Sequence, residues 1–173
     1  MPQVKHPGPL KRLLASLYDA FLILAVVFIA SALTLPLTGG EATPANNVYM
    51  TLYLLSVIYI FYGWFWTHGG QTLGMRVWKQ QLVQLNGTAV NWKQSFIRFI
   101  TGLPAWGIFF IGLMLWMLPE KVHRVDWLTT IPTWLIILTG FTWLLLDNRS
   151  GNWRDKVSGT HIILLSKDVT PIE

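Results

Sequence analysis

Six charged residues could do chemistry by type and position: Arg12, Asp19, Arg98, Asp147, Arg154 and Asp155. Each lies inside or at the edge of an apolar run, where an ionised side chain needs a partner. Asp19 is the sharpest case, because it opens the otherwise apolar stretch "DAFLILAVVFIA". In a helix Arg12 and Asp19 are separated by about 10 Å of rise and share nearly one face. That gap is long for a direct contact. The spacing therefore predicts that the nearest cation to Asp19 comes from another segment, either Arg98 in "SFIRFITG" or Arg154 in "NWRDKVSGT". Asp147 ends an apolar run, where the negative end of a helix dipole calls for a nearby Arg or Lys. The six residues together can form one network at one membrane face. Such a network either locks segments together or gives ions, protons or a charged substrate a path. A carboxylate held by arginine stays ionised, whereas a proton carrier must titrate, so the two roles require different surroundings.

Other chemistries find little support. The chain has no Cys, which excludes disulfides, thiolate nucleophiles and Cys-ligated zinc. His6, His68, His123 and His161 are scattered over different segments, which argues against a metal site. No nucleophile elbow, HExxH pair, phosphate loop or dinucleotide fingerprint occurs. "HGGQTLG" has the glycines of a phosphate loop but lacks its Lys-Ser/Thr ending. The expectation is a protein that is not an enzyme and uses no cofactor. The formal charge of +5 could indicate nucleic acid, but the basic residues flank apolar segments instead of forming one patch, so no nucleic-acid partner is expected.

The elements that must carry these residues are membrane helices. Of 173 residues, 53% are hydrophobic, only 12% are charged and ten are Trp, a surface that a bilayer accommodates and water does not. Four apolar segments, roughly 10–37, 48–66, 96–118 and 127–146, are each near the ~20 residues a spanning helix needs. Pro9 suits a first helical position, and Pro36 with Gly39 and Gly40 ends the first segment. Ala30-Ser31-Ala32 mimics a signal-peptide cleavage site, but the long apolar run and Asp19 favour a retained helix. Eleven of the thirteen Lys and Arg residues, all but Lys121 and Arg124, fall on one side of this arrangement. The positive-inside rule then predicts cytoplasmic termini and a cytoplasmic second loop. Trp64, Trp66, Trp116, Trp127 and Trp153 lie near segment ends, as interfacial anchors do. Gly102, Gly107 and Gly112 recur at spacing five, which permits close helix packing or a bend near Pro104.

The second loop carries its own structure. "GQTLGMRVW" can begin as a short interfacial helix. "QQLVQLNGTAVNW" alternates around Asn86-Gly87, which predicts a hairpin over about 78–92. "GTHIILLSK" supplies a third strand, about 159–167, packing on that hairpin. The expected fold class is an all-α integral membrane protein forming a single domain over 1–173. It has four transmembrane helices, a small cytoplasmic β-hairpin or sheet and a short interfacial helix.

Arg12 opening the first helix, Asp19 within it, "GQTLG" after the second, Arg98 before the third and "RDKVSGT" near the end resemble the RDD family of bacterial membrane proteins. The resemblance covers about residues 9–165 and assigns the family's one arginine and two aspartates to Arg12, Asp19 and Asp155. It also marks Gly69, Gly70, Gln71, Thr72, Gly74 and Gly159 as motif positions. Two departures stand out. Met75 occupies the place of a basic residue, with Arg76 next, and Arg154 stands where the family often has His, so a proton-handling His does not carry over. Members often show two or three spanning segments, so four would be an elaboration. The resemblance implies a transport-related protein of the bacterial inner (plasma) membrane, with monovalent cation/proton exchange as its candidate activity. Four helices enclose little of a pathway and show no internal repeat, so an oligomer is expected. The rival reading is a non-catalytic structural or assembly partner of another membrane protein.

Overall fold

The computed structural model describes residues 5–41, 47–117, 131–147 and 151–165. Three helices there are long and apolar enough to cross a membrane. Helix α1 is Pro9–Thr34, with Pro9 in its first turn, and continues as a 3-10 turn, Leu35–Thr38. Gly39 and Gly40, both at positive φ, end it. Helix α2 is Val48–Thr67, capped by the Asn47 side chain, which accepts the Met50 N–H at 3.2 Å. After the short helix α3, Leu73–Val77, comes strand β1, Gln80–Gln84, and then helix α4, Trp92–Met117. Helix α5, Thr133–Asp147, has 15 residues. Helix α6, Trp153–Ser158, and strand β2, Thr160–Leu164, complete the order. At fifteen residues α5 is shorter than the length expected of a span, and residues 118–130, which include Trp127, lie outside the described set.

The outward faces of the long helices are apolar. Phe21, Leu24 and Phe28 on α1 are among the most exposed large side chains, a pattern only a lipid surroundings would favour. Helices α4 and α5 pack backbone to backbone. A Cβ on Gly140 would stand 2.6 Å from Phe109 N, and one on Gly112 would stand 2.9 Å from Ile137 N. Small residues let spanning helices approach this closely. The three glycines of α4 thus do different work: Gly112 admits α5, Gly102 faces the Arg154 guanidinium, and Gly107 meets no side chain within 4 Å.

The sheet corrects one expectation. Beta strands β1 and β2 pair antiparallel, with Gln80 opposite Leu164 and Gln84 opposite Thr160, and they form a two-stranded sheet among the described residues. The predicted hairpin over 78–92 does not form. The chain does turn at Asn86-Gly87, where Gln84 N–H donates to the Thr88 carbonyl at 3.0 Å. Residues 88–91 are then too few for a second strand, because Asn91 already caps α4. Its side chain accepts the Gln94 N–H at 2.9 Å, and Gln94 Oε1 accepts the Asn91 N–H at 3.3 Å. That reciprocal pair is a capping box, legible in "NWKQ", and it starts α4 at Trp92 instead of near Phe96. Trp66 is a second correction. It is buried and stacked on Tyr62, part of the core with Ala15, Met75, Leu82 and Phe99, whereas Trp64, Trp116 and Trp153 are exposed as anchors would be.

Candidate functional site

The sheet, α3 and α6 gather at the end of the bundle where α1 and α4 begin. Asn152 caps α6 by accepting the Asp155 N–H at 2.7 Å, and Gly159, in the left-handed conformation at φ 64°, ends it. This short helix presents Asp155 to two arginines. Arg12 Nη1 donates to Asp155 Oδ2 at 3.1 Å and Arg98 Nη1 donates to Oδ1 at 2.8 Å. Arg98 Nη1 also reaches Thr160 Oγ1 at 2.9 Å, and Arg12 Nη2 reaches the Ile162 carbonyl at 3.3 Å. All three charged side chains are almost fully buried. Burial alone would raise the Asp155 carboxyl. The adjacent Arg98 and Arg12 guanidiniums outweigh it and hold the carboxyl below the usual carboxylate range.

Arg154, one residue earlier, turns the other way. Its Nη1 donates to Asp147 Oδ2 at 3.0 Å, and its Nε donates to the Arg98 carbonyl at 3.1 Å. Asn152 Nδ2 also donates to the Asp147 carbonyl, so the end of α5 is satisfied by side chains from the start of α6. Five of the six sequence-selected residues therefore meet in two adjacent sets of ion pairs that tie α1, α4, α5 and α6 together.

Asp19 stands apart from them. Neither Arg98 nor Arg154, the partners expected from its position, comes within ion-pair distance; among the described residues the ion pairs are those of Asp155 and Asp147. Asp19 is instead held by neutral donors from the "GQTLG" segment. Thr72 Oγ1 donates to Oδ2 at 2.5 Å, and the Gly74 N–H donates to Oδ1 at 2.8 Å. Thr72 is at once the N-cap of α3, accepting the Met75 N–H at 3.2 Å. Gly74 is required for contact: a Cβ there would collide with the Ala15 carbonyl and stand 2.9 Å from Asp19 Oδ1. The rest of the motif fixes this segment to β1. Gly70, at φ 67°, accepts the Leu82 N–H at 2.7 Å, Gln71 Nε2 donates to the Gln80 carbonyl at 2.7 Å, and the Gly69 carbonyl accepts Gln81 Nε2 at 3.0 Å. The link from Thr72 and Gly74 to Asp19 was missed from sequence, although a Thr placed to cap a helix and a Gly two residues on were visible.

Asp19 lines a cavity of about 520 Å³ between α1, α2 and α4. Arg12, Thr72, Gln80, Arg98 and Arg154 join it at the polar end, while Val27, Leu55 and Phe110 line the apolar remainder. Gln80 is wholly buried; its Nε2 donates to the Lys11 carbonyl at 2.9 Å, and its Oε1 has no partner among the described residues. Outside the cavity, the His6 and His161 rings, distant in sequence, meet edge to face with centroids 5.5 Å apart. Burial, with the neighbouring His6 adding to it, lowers the His161 pKa.

Apolar helices joined at one end by buried arginine–aspartate pairs define a polytopic helical membrane protein. The chain belongs to the RDD family, whose model matches residues 6–159, a span holding all six charged residues. No curated protein and no solved structure gives a match.

Proposed function

We propose that this is a non-enzymatic, transport-related protein of a bacterial inner membrane, exchanging a monovalent cation for a proton at Asp19. The observation that carries the reading is the setting of Asp19. It is a buried carboxylate on a membrane helix, held by a hydroxyl and a backbone N–H instead of an arginine, and it lines a cavity. A carboxylate without a fixed cation is free to take a proton or a mobile cation in turn. The distribution of Lys and Arg supports cytoplasmic termini and a cytoplasmic sheet, with α5 belonging to a fourth crossing. So small a bundle would work as an oligomer.

The test is purified protein in liposomes holding a pH-sensitive dye, under imposed Na⁺, K⁺ or Li⁺ gradients. Cation-dependent proton movement that Asp19→Asn abolishes is the expected result. Silence under every gradient favours the second reading, an assembly partner of another membrane protein. That reading draws on the Asp155 and Asp147 contacts, which join helices and open no path.

A further inference from the structure

We infer that the cavity between α1, α2 and α4 binds a lipophilic organic cation, with its charge against Asp19 and its apolar body among the aromatic side chains of the wall. The inference rests on Asp19 as the exchange site and names the class of cation. Three features carry it.

The first is size. Pockets of roughly 300–1,000 Å³ take drug-sized ligands, and this one measures about 520 Å³, far more than a bare ion fills. The second is the lining. The oxygens gather at the polar end, where Asp19 and the Gln80 Oε1 lie. Here Thr72 Oγ1 is already committed to Asp19 and to the Met75 N–H, and the wall beyond is hydrocarbon and aromatic. Tyr62, Trp66, Phe99, Trp106 and Phe110 all line the cavity. Aromatic faces beside one carboxylate attract an organic cation through ring quadrupoles and charge together. The third is charge balance. Three guanidiniums share the polar end: Arg12 and Arg98 are both bonded to the one carboxylate of Asp155, and Arg154 to Asp147, so these pairs keep one positive charge over, and Asp19 is the remaining carboxylate that can balance it. Asp19 makes no direct ion pair with an arginine among the described residues, and each of its oxygens accepts one bond and retains capacity for another. A cation and a proton then compete for one group: as the cation arrives, the carboxyl proton leaves to water and the net charge of the site is unchanged.

Tetraphenylphosphonium is the probe, and its isosteric anion tetraphenylborate is the control. Binding to the purified full chain in lipid nanodiscs is read by equilibrium dialysis, and proton release by an indicator in weak buffer. The expected result is saturable tetraphenylphosphonium binding that weakens as pH falls, releases protons and drops at least tenfold in Asp19→Asn. Phe110→Ala, at a half-exposed position, keeps the test open if Asp19→Asn does not fold. It should weaken binding about threefold to tenfold. Equal binding of tetraphenylborate, or binding that ignores Asp19→Asn, overturns the inference. Alkali-driven proton movement without any tetraphenylphosphonium binding overturns it and leaves the exchange reading standing. Asp19-dependent binding without proton movement under either kind of gradient keeps the site and removes exchange.

Discussion

Asp19 and Asp155 are carboxylates buried at the same end of the same bundle, and they are held in opposite ways. Asp155 sits on a short helix outside the spanning segments and takes two guanidiniums, one from α1 and one from α4. Asp19 sits on α1 itself and takes a threonine hydroxyl and a glycine N–H. Desolvating a charge is costly in either place. At Asp155 two fixed cations offset that cost, and the group is thereby committed to joining three elements. At Asp19 the donors are neutral, so the position is fixed while the charge is not answered. The contrast separates a residue paired with fixed cations from one held by neutral donors, although both carry the same functional group.

The largest effect should come from Asp155→Asn. It leaves two buried arginines sharing a neutral amide, and losing one partner of a buried ion pair costs about 3–5 kcal/mol. Thermal unfolding in detergent should show a loss of that order, or no monodisperse protein at all. Acid should act on the same residue. Its folded pKa lies below its unfolded value, so its contribution to stability is fully present above the usual carboxylate range and is lost as pH falls through the depressed folded value. Circular dichroism during acid titration should show unfolding there, and Asp155→Asn should remove that component.

On the Asp19 side the effects should be smaller. Gly74→Ala forces a methyl group against the Ala15 carbonyl and Asp19, and overpacking of this kind costs about 1–3 kcal/mol. Denaturation should detect it while the Asp155 ion pairs persist. Thr72→Val removes both the α3 cap and one bond to Asp19, with an expected cost of about 2–3 kcal/mol. If Thr72→Val proved as damaging as Asp155→Asn, the division between the cation-paired and the neutrally held carboxylate would collapse.

Much of this was legible in the residues. Apolar run lengths located the three long helices, and Pro9, Gly39 and Gly40 marked the ends of α1. The need of Asp147 for a cation followed from its place at a helix end, and Arg154 meets it. The hairpin failed because alternation around Asn86-Gly87 is a local signal. The competing Asn91–Gln94 capping box and the more distant strand β2 took over the residues it required. The partner of Asp19 failed for a related reason. Opposite charges were paired by proximity in the membrane, while the structure supplies a cap residue and a backbone N–H, groups that composition cannot rank. Trp66 shows the same limit: a Trp near a helix end is equally suited to lipid headgroups and to a core, and only its neighbours Tyr62 and Met75 decide.

The separation in sequence between Arg12 and Asp155 also sets an order of events in biosynthesis. The two are 143 residues apart, and translation at about 5–20 residues per second leaves Arg12 waiting roughly 7–30 s for its carboxylate. Strand β1 waits in the same way for β2, so a late-made segment closes what the first helix began. A ribosome stalled before Trp153 would leave a helix in the bilayer with its edge arginine unmatched and a strand with an open edge. A chain in which this clasp has closed can thus be told from one in which it has not by the pairing of Arg12 with Asp155.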